Sequence, residues 1–335
     1  MNNTIRTLHA VALTGNASIG DFIRLSFLLL LSVMFVSLSY AERYAGEFLL
    51  GVESPRARAM GGVGAWIPDG GFAVARNPAD LAAISTPVVD LHHSDRFTGI
   101  VRSDYAGVAM PSHKGGIGIA LYRLGVERIP YTKLLDPSQP HSGANRVVLD
   151  RYVSDQEWAL WIGAGRKLTE RWSLGAAIKP IWKQLGGGNG IGVGVDVGSR
   201  YSYHTSGSLA FAVTDLVTSP IRWNTERTET IKPRIQAGFA HQFTFPRVHA
   251  DVLFSGGMEV RIDQGGENLI SGHGGLEYCI EKVVALRAGY DKDQIVFGGG
   301  IKLSGFGVDY AYRNEPLGSV HLIGCHFELP SHRMD

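Results

Sequence analysis

Several groupings in this chain have the residue types of a chemical site, and each one lacks a part that the chemistry needs. Gly186-Gly-Gly-Asn-Gly190 has the glycine density of a phosphate-cradling loop. It lacks the Lys-Ser/Thr that completes such a loop, and it lies between two strand-like runs, not ahead of a helix. It reads as a turn. Gly163-x-Gly165 and Gly192-x-Gly194 lack the third glycine and the helix of a dinucleotide site. His92-His93 offers two imidazoles, but adjacent strand residues point to opposite faces and no third ligand is spaced nearby. No Gly-x-Ser-x-Gly elbow supplies a hydrolase nucleophile. The formal net charge is +1 with no basic stripe, which does not suggest nucleic acid. The expectation is a protein that is not an enzyme, with no metal and no cofactor.

The elements that carry these residues are easier to read. From Glu157 to Leu329 the chain repeats short runs in which every second residue is apolar. In Ile191-Gly-Val-Gly-Val-Asp-Val-Gly198, Ile191, Val193, Val195 and Val197 alternate with Gly192, Gly194, Asp196 and Gly198. A strand places these two sets on opposite faces. In a soluble sandwich the apolar face is packed inward. In a membrane barrel it meets lipid, and the small and polar residues line the lumen.

The N-terminus decides between them in part. Arg24 precedes the uncharged apolar run Leu25–Ser37, and Ser39-Tyr40-Ala41 follows with small residues where a signal peptidase reads. Residues 1–41 are expected to be a removable secretory signal; the alternative is an uncleaved membrane anchor. The sequons at Asn2 and Asn16 fall inside this segment. About 294 residues remain, enough for one large β domain. Glycine is abundant at 43 residues, while charged residues, at 19%, are scarce for a soluble domain. An exported chain without a second apolar helix can span a membrane only as a closed barrel.

Alternation predicts fourteen strands: Val88–Asp95, Asp104–Met110, Gly115–Leu124, Gln156–Leu168, Arg171–Leu185, Gly190–His204, Ser208–Leu216, Lys232–Phe243, Val248–Met258, His273–Glu281, Val283–Asp291, Gln294–Leu303, Phe306–Arg313 and Ser319–Leu329, with a weaker run at Arg146–Arg151. Tight turns at Glu170-Arg171, Glu281-Lys282 and Ser304-Gly305 contrast with expected long loops at Gly125–Asp155, Val217–Ile231 and Arg261–Gly272. Trp158, Trp161, Trp172, Trp182, Tyr201, Tyr203, Tyr310 and Tyr312 lie near strand ends, as interfacial girdles do. Subtracting the apolar face leaves Lys179, Asp196, Arg287, Lys302, Asp309 and Arg313 pointing into the lumen, since a charge facing lipid near the midplane costs roughly 2–4 kcal/mol. Cys279 and Cys325 fall on different faces of separate strands, so no disulfide is expected.

Between signal and first strand lies Arg56-Ala-Arg-Ala-Met-Gly-Gly-Val-Gly64, then Asp69 and Asn77-Pro78-Ala79. This stretch resembles the N-terminal signature of the PorV/PorQ family and, more distantly, that of the FadL fatty-acid transporters. The matching residues are Met60, Gly61, Gly62, Asp69, Asn77, Pro78 and Ala79. Asp80 stands where a glycine is usual and Arg76 where an aromatic often precedes the asparagine. Ile162–Gly175, Val284–Tyr290 and Phe306–Tyr312 resemble later hairpins and strands of the family, and Gly324–Phe327 with Leu329 resembles a barrel-assembly signal. The resemblance implies a fourteen-stranded antiparallel barrel over 86–329, an N-terminal hatch at 42–85 and a tail at 330–335. It makes Met60, Gly61, Gly62, Gly64, Asp69, Asn77, Pro78 and Ala79 candidates for gating. Glycines there permit positive φ and close packing, and Pro78 holds Asn77 extended. The plain alternative is that Asn77-Pro78 is an ordinary turn into the first strand.

Two functions follow from the resemblance. One is binding or passage of a small hydrophobic ligand across the outer membrane. The other is a type IX secretion role in which the rim loops receive the sorting domain of secreted cargo. Outer-membrane lipid and the barrel-assembly machinery are implied partners in both cases. A periplasmic or surface β-structure without a channel is a third class; the mainly small or polar second face of most strands argues against it.

Overall fold

The computed structural model describes residues 45–262, 268–291, 293–315 and 317–330. The expected signal segment 1–41 and residues 331–335 of the tail lie outside the described residues.

The alternating runs form strands β1 (Val88–Arg96), β2 (Val101–Ser112), β3 (Gly115–Leu134), β4 (Val147–Lys167), β5 (Trp172–Leu185), β6 (Gly188–His204), β7 (Gly207–Thr214), β8 (Ser219–Trp223), β9 (Thr228–Ile231), β10 (Arg234–Phe245), β11 (Ala250–Ile262), β12 (Asn268–Ile280), β13 (Val284–Asp291), β14 (Gln294–Leu303), β15 (Phe306–Glu315) and β16 (Gly318–Glu328). Outside β8 and β9 successive strands pair antiparallel, with β7 on β10 and β8 on β6, and β16 pairs back onto β1 from Val88↔Glu328 to Asp95↔His321. That closure leaves no exposed sheet edge within the wall. β8 and β9 prolong β7 and β10 as a hairpin, so the barrel has fourteen staves.

Both chain ends of the barrel, Val88 and Glu328, lie on one rim with the turns after β2, β4, β6, β10, β12 and β14. Short turns mark the periplasmic side of such barrels, so the opposite rim faces outward from the cell. On that outer rim the expected long loops are largely strand. Gly125–Asp155 is built mostly from the upper halves of β3 and β4, which pair past the rim to Leu134↔Val147 with two irregularities in register. Sequence alternation fails there because those register shifts move the side chains between faces. Val217–Ile231 holds the β8–β9 hairpin, whose Ser219, Ile221 and Ile231 are fully buried. Arg261–Gly272 is partly the ends of β11 and β12.

The apolar faces point out. Ile191, Val193, Leu286, Ile295, Phe297 and Ile301 are all more than half exposed, as lipid-facing residues are when lipid is removed. Trp158 stacks on Trp182 at 6.0 Å near the outer rim, and Trp172 meets Tyr201 in a tilted contact at 4.9 Å near the inner one. Positions 172 and 182 on β5 are separated by roughly 25 Å of membrane normal at the usual strand tilt. Trp161 departs from the expected girdle. It is buried on the luminal face, where its Nε1–H donates to Asp196 at 2.8 Å.

The lumen is filled by residues 45–83. They contribute α1 (Pro55–Ala59), α2 (Ala73–Arg76) and short 3-10 turns at Glu47–Gly51, Gly70–Phe72 and Pro78–Ala83. Proline at a first helical position and Ser54 and Asn77 as capping residues start α1 and the last turn. Wall glycines and alanines leave room for them.

Candidate functional site

The luminal segment meets the wall in two chemically distinct ways. Against β3 to β6 it packs by shape. Pro78, Ala79 and Leu81 press onto Gly116, Gly165, Gly175 and Gly198, where a Cβ on Gly175 would collide with the Pro78 carbonyl and the Ala79 amide. Asn77 is fully buried; its Oδ1 accepts from the Ala79 N–H at 3.2 Å and its Nδ2 donates to the Ala65 carbonyl at 3.1 Å. Phe72, Val74 and Leu81 continue this side as an apolar core with Tyr105, Ala120, Tyr122, Ala159 and Trp161. A bidentate pair closes it: Arg200 donates to both oxygens of Asp80, and also to the Trp66 carbonyl at 2.8 Å. The departure at Asp80 is thus matched by a counter-charge on β6.

Against β12 to β16 ion pairs are added to close packing, with Ala59, Met60 and Gly61 pressed onto Gly298, Gly275 and Gly289. Arg56 donates to both oxygens of Glu277, at 2.9 and 2.7 Å. Arg287 bridges Glu277 and Asp309, each at 2.6 Å, and His326 stands 3.6 Å from Asp309. Arg58 pairs with Glu53 at 2.5 Å and with Asp291 at 3.4 Å, which also takes Arg313 at 2.6 Å. At the end of α1, Gly61 has φ +79° and lies against the backbone of Gly274 and Tyr290. Any side chain there would meet both a left-handed backbone and the wall. The His273 ring contacts the Gly61 carbonyl at 2.8 Å. Burial holds the Asp69 carboxyl above the usual carboxylate range, opposed by Arg56 and by a hydrogen bond donated by Ser54. Arg76, buried and facing Arg234, is pushed down to about 10.

A third network belongs to the wall alone. Lys179 donates to Asp196 at 3.0 Å and to Asp215 at 2.9 Å, and the Ser219 hydroxyl donates to Asp215 at 2.6 Å. It sits where β7 breaks before β8, with Asp215 and Thr218 at φ +56° and +55°. Leu49, Leu50 and Val52 cover it, leaving a cavity of about 10 Å3, room for about one water. Residues 45–83 thus pack against both sides of the wall and occupy the lumen.

The sequence-marked residues therefore do not converge on one point. Met60, Gly61 and Gly62 key α1 to the ionic wall, with Gly64 between Ala57 and Arg76; Asn77, Pro78 and Ala79 key the last turn to the glycine wall. Asp69 lies between, hydrogen-bonded to Ser54. Lys179, Asp196, Arg287, Asp309 and Arg313 face inward in ion pairs. Lys302 has the inward parity but lies at the inner mouth, about half exposed and paired with Glu328 at 2.6 Å. Alternation could have marked Arg200 and Glu277, which share faces with Asp196 and Gly275. Nothing in the spacing marks Asp80 or Arg56 as the residues they grip.

No protein-family profile matches the chain, and no curated protein matches it. Solved structures do. The toluene transporter TbuX of Ralstonia pickettii superposes with a TM-score of 0.53 at 15% identity, covering 84% of this chain and 100% of that one. The toluene transporter TodX of Pseudomonas putida gives 0.54 at 15% identity, covering 82% and 96%. A Pseudomonas aeruginosa FadL homologue gives 0.53 at 11% identity, covering 82% and 98%. The fold is that of the FadL-type outer-membrane barrels. Its apolar band faces outward, as the outer wall of a bacterial outer-membrane barrel of that fold does.

Proposed function

We propose that this barrel passes a small hydrophobic molecule across the outer membrane, with residues 42–85 as a hatch that must move for passage. The observation that carries the reading is the lumen itself: a segment of the same chain packs across it, against β3 to β6 on one side and β12 to β16 on the other. The barrel is long enough to cross the bilayer, so transport requires displacement of that segment. The similarity in fold to the TbuX and TodX toluene transporters and to a FadL homologue supports a hydrophobic cargo.

The two kinds of contact assign different parts to the two sides. The glycine side is dry and matched backbone to backbone, so separating it exposes unpaired surface at many points. The ionic side reaches the inner mouth, where the Arg56 side chain is a quarter exposed. Arg56 is the exposed member of that network; its partner Glu277 and the pairs of Arg287, Arg58 and Asp291 are buried, so water reaches them from the mouth side. The hatch pivots on the glycine side and releases on the ionic side. Met60 to Gly64 move with α1, while Asn77, Pro78 and Ala79 form the fixed end.

A second reading, reception of a cargo domain in secretion as in PorV-like proteins, draws on the β3–β4 ribbon, which rises past the rim with neither edge paired beyond Val126 and Gln156. Uptake of labelled toluene by cells with and without the barrel separates the two. Accelerated uptake supports passage; unchanged uptake with loss of a secreted protein on deletion supports reception.

A further inference from the structure

The outer rim carries a feature that passage through the lumen does not use. Above the turn between β1 and β2, β3 continues without a neighbour on that side, and the step leaves a notch of about 510 Å3. Gly99, Ile100, Arg102 and the run Gly125–Pro130 line it. Gly125 contributes no side chain opposite Arg102, and the register shift between Val126 and Ile129 turns β3 away. Arg128, at φ +57°, is the residue that this shift throws outward.

The position of the notch in the membrane follows from its neighbours. Arg123 lies over the Trp158 ring at 5.7 Å, in the outer aromatic layer, and Gly125 is two residues further out. The notch therefore sits at headgroup height, above the exposed apolar residues Ile117 and Ile119 of the same strand. Its charges are unequal. Glu127 is held by Arg123 at 2.9 Å, Asp104 by Arg123 at 3.4 Å and by His93 at 2.7 Å, and Asp95 reaches Arg102 only at 3.5 Å. Arg128 contacts the Tyr152 ring at 5.6 Å and has no carboxylate within ion-pair distance among the described residues. The result is an apolar floor with two arginines, one loosely paired and one unpaired, at the level of lipid phosphates.

We propose that this notch binds a phosphorylated glycolipid of the outer leaflet, its phosphate between Arg102 and Arg128 and its acyl chains on the β2–β3 face below. Guanidinium forks suit phosphate, and the apolar wall beneath suits the chains.

The test uses the full-length barrel in detergent, titrated with bisphosphorylated lipid A and read by native mass spectrometry. One or two lipids are expected to stay bound to the wild type, and R102Q/R128Q should weaken that by at least about tenfold. R146Q, on the ribbon outside the notch, should not change it. The shift in gel mobility on heating confirms that each variant is folded. Dephosphorylated lipid A should fail to bind. Inorganic phosphate at millimolar concentration should compete poorly if the chains contribute; full competition identifies a free-phosphate site and overturns the lipid assignment. Equal retention by R102Q/R128Q, or preferential capture of an extended peptide along the free β3 edge, also overturns it. Toluene uptake is expected to be the same in both proteins, so this result stands or falls apart from the transport reading.

Discussion

The two sides of the lumen hold the same segment with different shares of packing and charge. Along β3 to β6 the wall has removed its own side chains, and Pro78, Ala79 and Leu81 occupy the space where glycine left none. Along β12 to β16 the wall also has glycines, under Ala59, Met60 and Gly61, but it adds large charged side chains that α1 answers with Arg56 and Arg58. Close packing tolerates no added atom, whereas an ion network tolerates exchange of one partner for water near a mouth. The contrast teaches where a filled barrel can be rigid and where it can yield.

The largest expected effect comes from filling the glycine side. A valine at Gly175 has no room beside the Pro78 carbonyl, so G175V should prevent the segment from seating. We expect most of the protein to lack the heat-modifiable gel mobility of a folded barrel; a normal shift would remove the argument for a close-packed cradle. Next is the charge pair between Asp80 of the segment and Arg200 of the wall on that side. D80N leaves Arg200 buried beside a neutral partner, a loss on the order of 3–5 kcal/mol for a broken buried pair, read as a lower unfolding midpoint in urea. On the ionic side, E277Q strips Arg56 and Arg287 of a shared anion close to the mouth. Its cost should be smaller, about 1–3 kcal/mol, and it should raise toluene uptake where D80N does not. The smallest effect belongs to Lys302: K302Q breaks a half-exposed pair with Glu328 and should stay within about 0.5 kcal/mol.

Much of the barrel was legible because a period of two is a strong signal. The fourteen staves, their faces and the three tight turns follow from alternation and from Gly and charged pairs at the turns. What alternation could not see is where a strand stops obeying it. The upper parts of β3 and β4 read as a loop because register shifts at Val126/Ile129 and Tyr131/Thr132 break the pattern. Trp161 read as a girdle residue from its neighbours Trp158 and Trp172, although its parity with Ala159 and Gly163 places it inside. The luminal segment was legible as a motif but not as a set of contacts. Its grip on Glu277, Asp291 and Arg200 joins residues far apart in the chain, and only the closed wall brings them together. Asp80 shows the difference best: along the sequence it is a departure at one position, and in the barrel it is half of a pair.

The most direct test of the pivot is a pair of engineered disulfides in a C279S/C325S background. Ala59 and Ala311 pack together on the ionic side, so A59C/A311C ties α1 to the wall there. On the glycine side, a Cβ at position 118 would lie 3.0 Å from that of Val74, inside the roughly 3.5–4.5 Å of a disulfide, so V74C/G118C ties the fixed end once the backbones part by about half an ångström. Toluene uptake should stop when A59C/A311C is oxidised, return on reduction, and be unaffected by oxidation of V74C/G118C. Undiminished uptake through oxidised A59C/A311C would contradict the account.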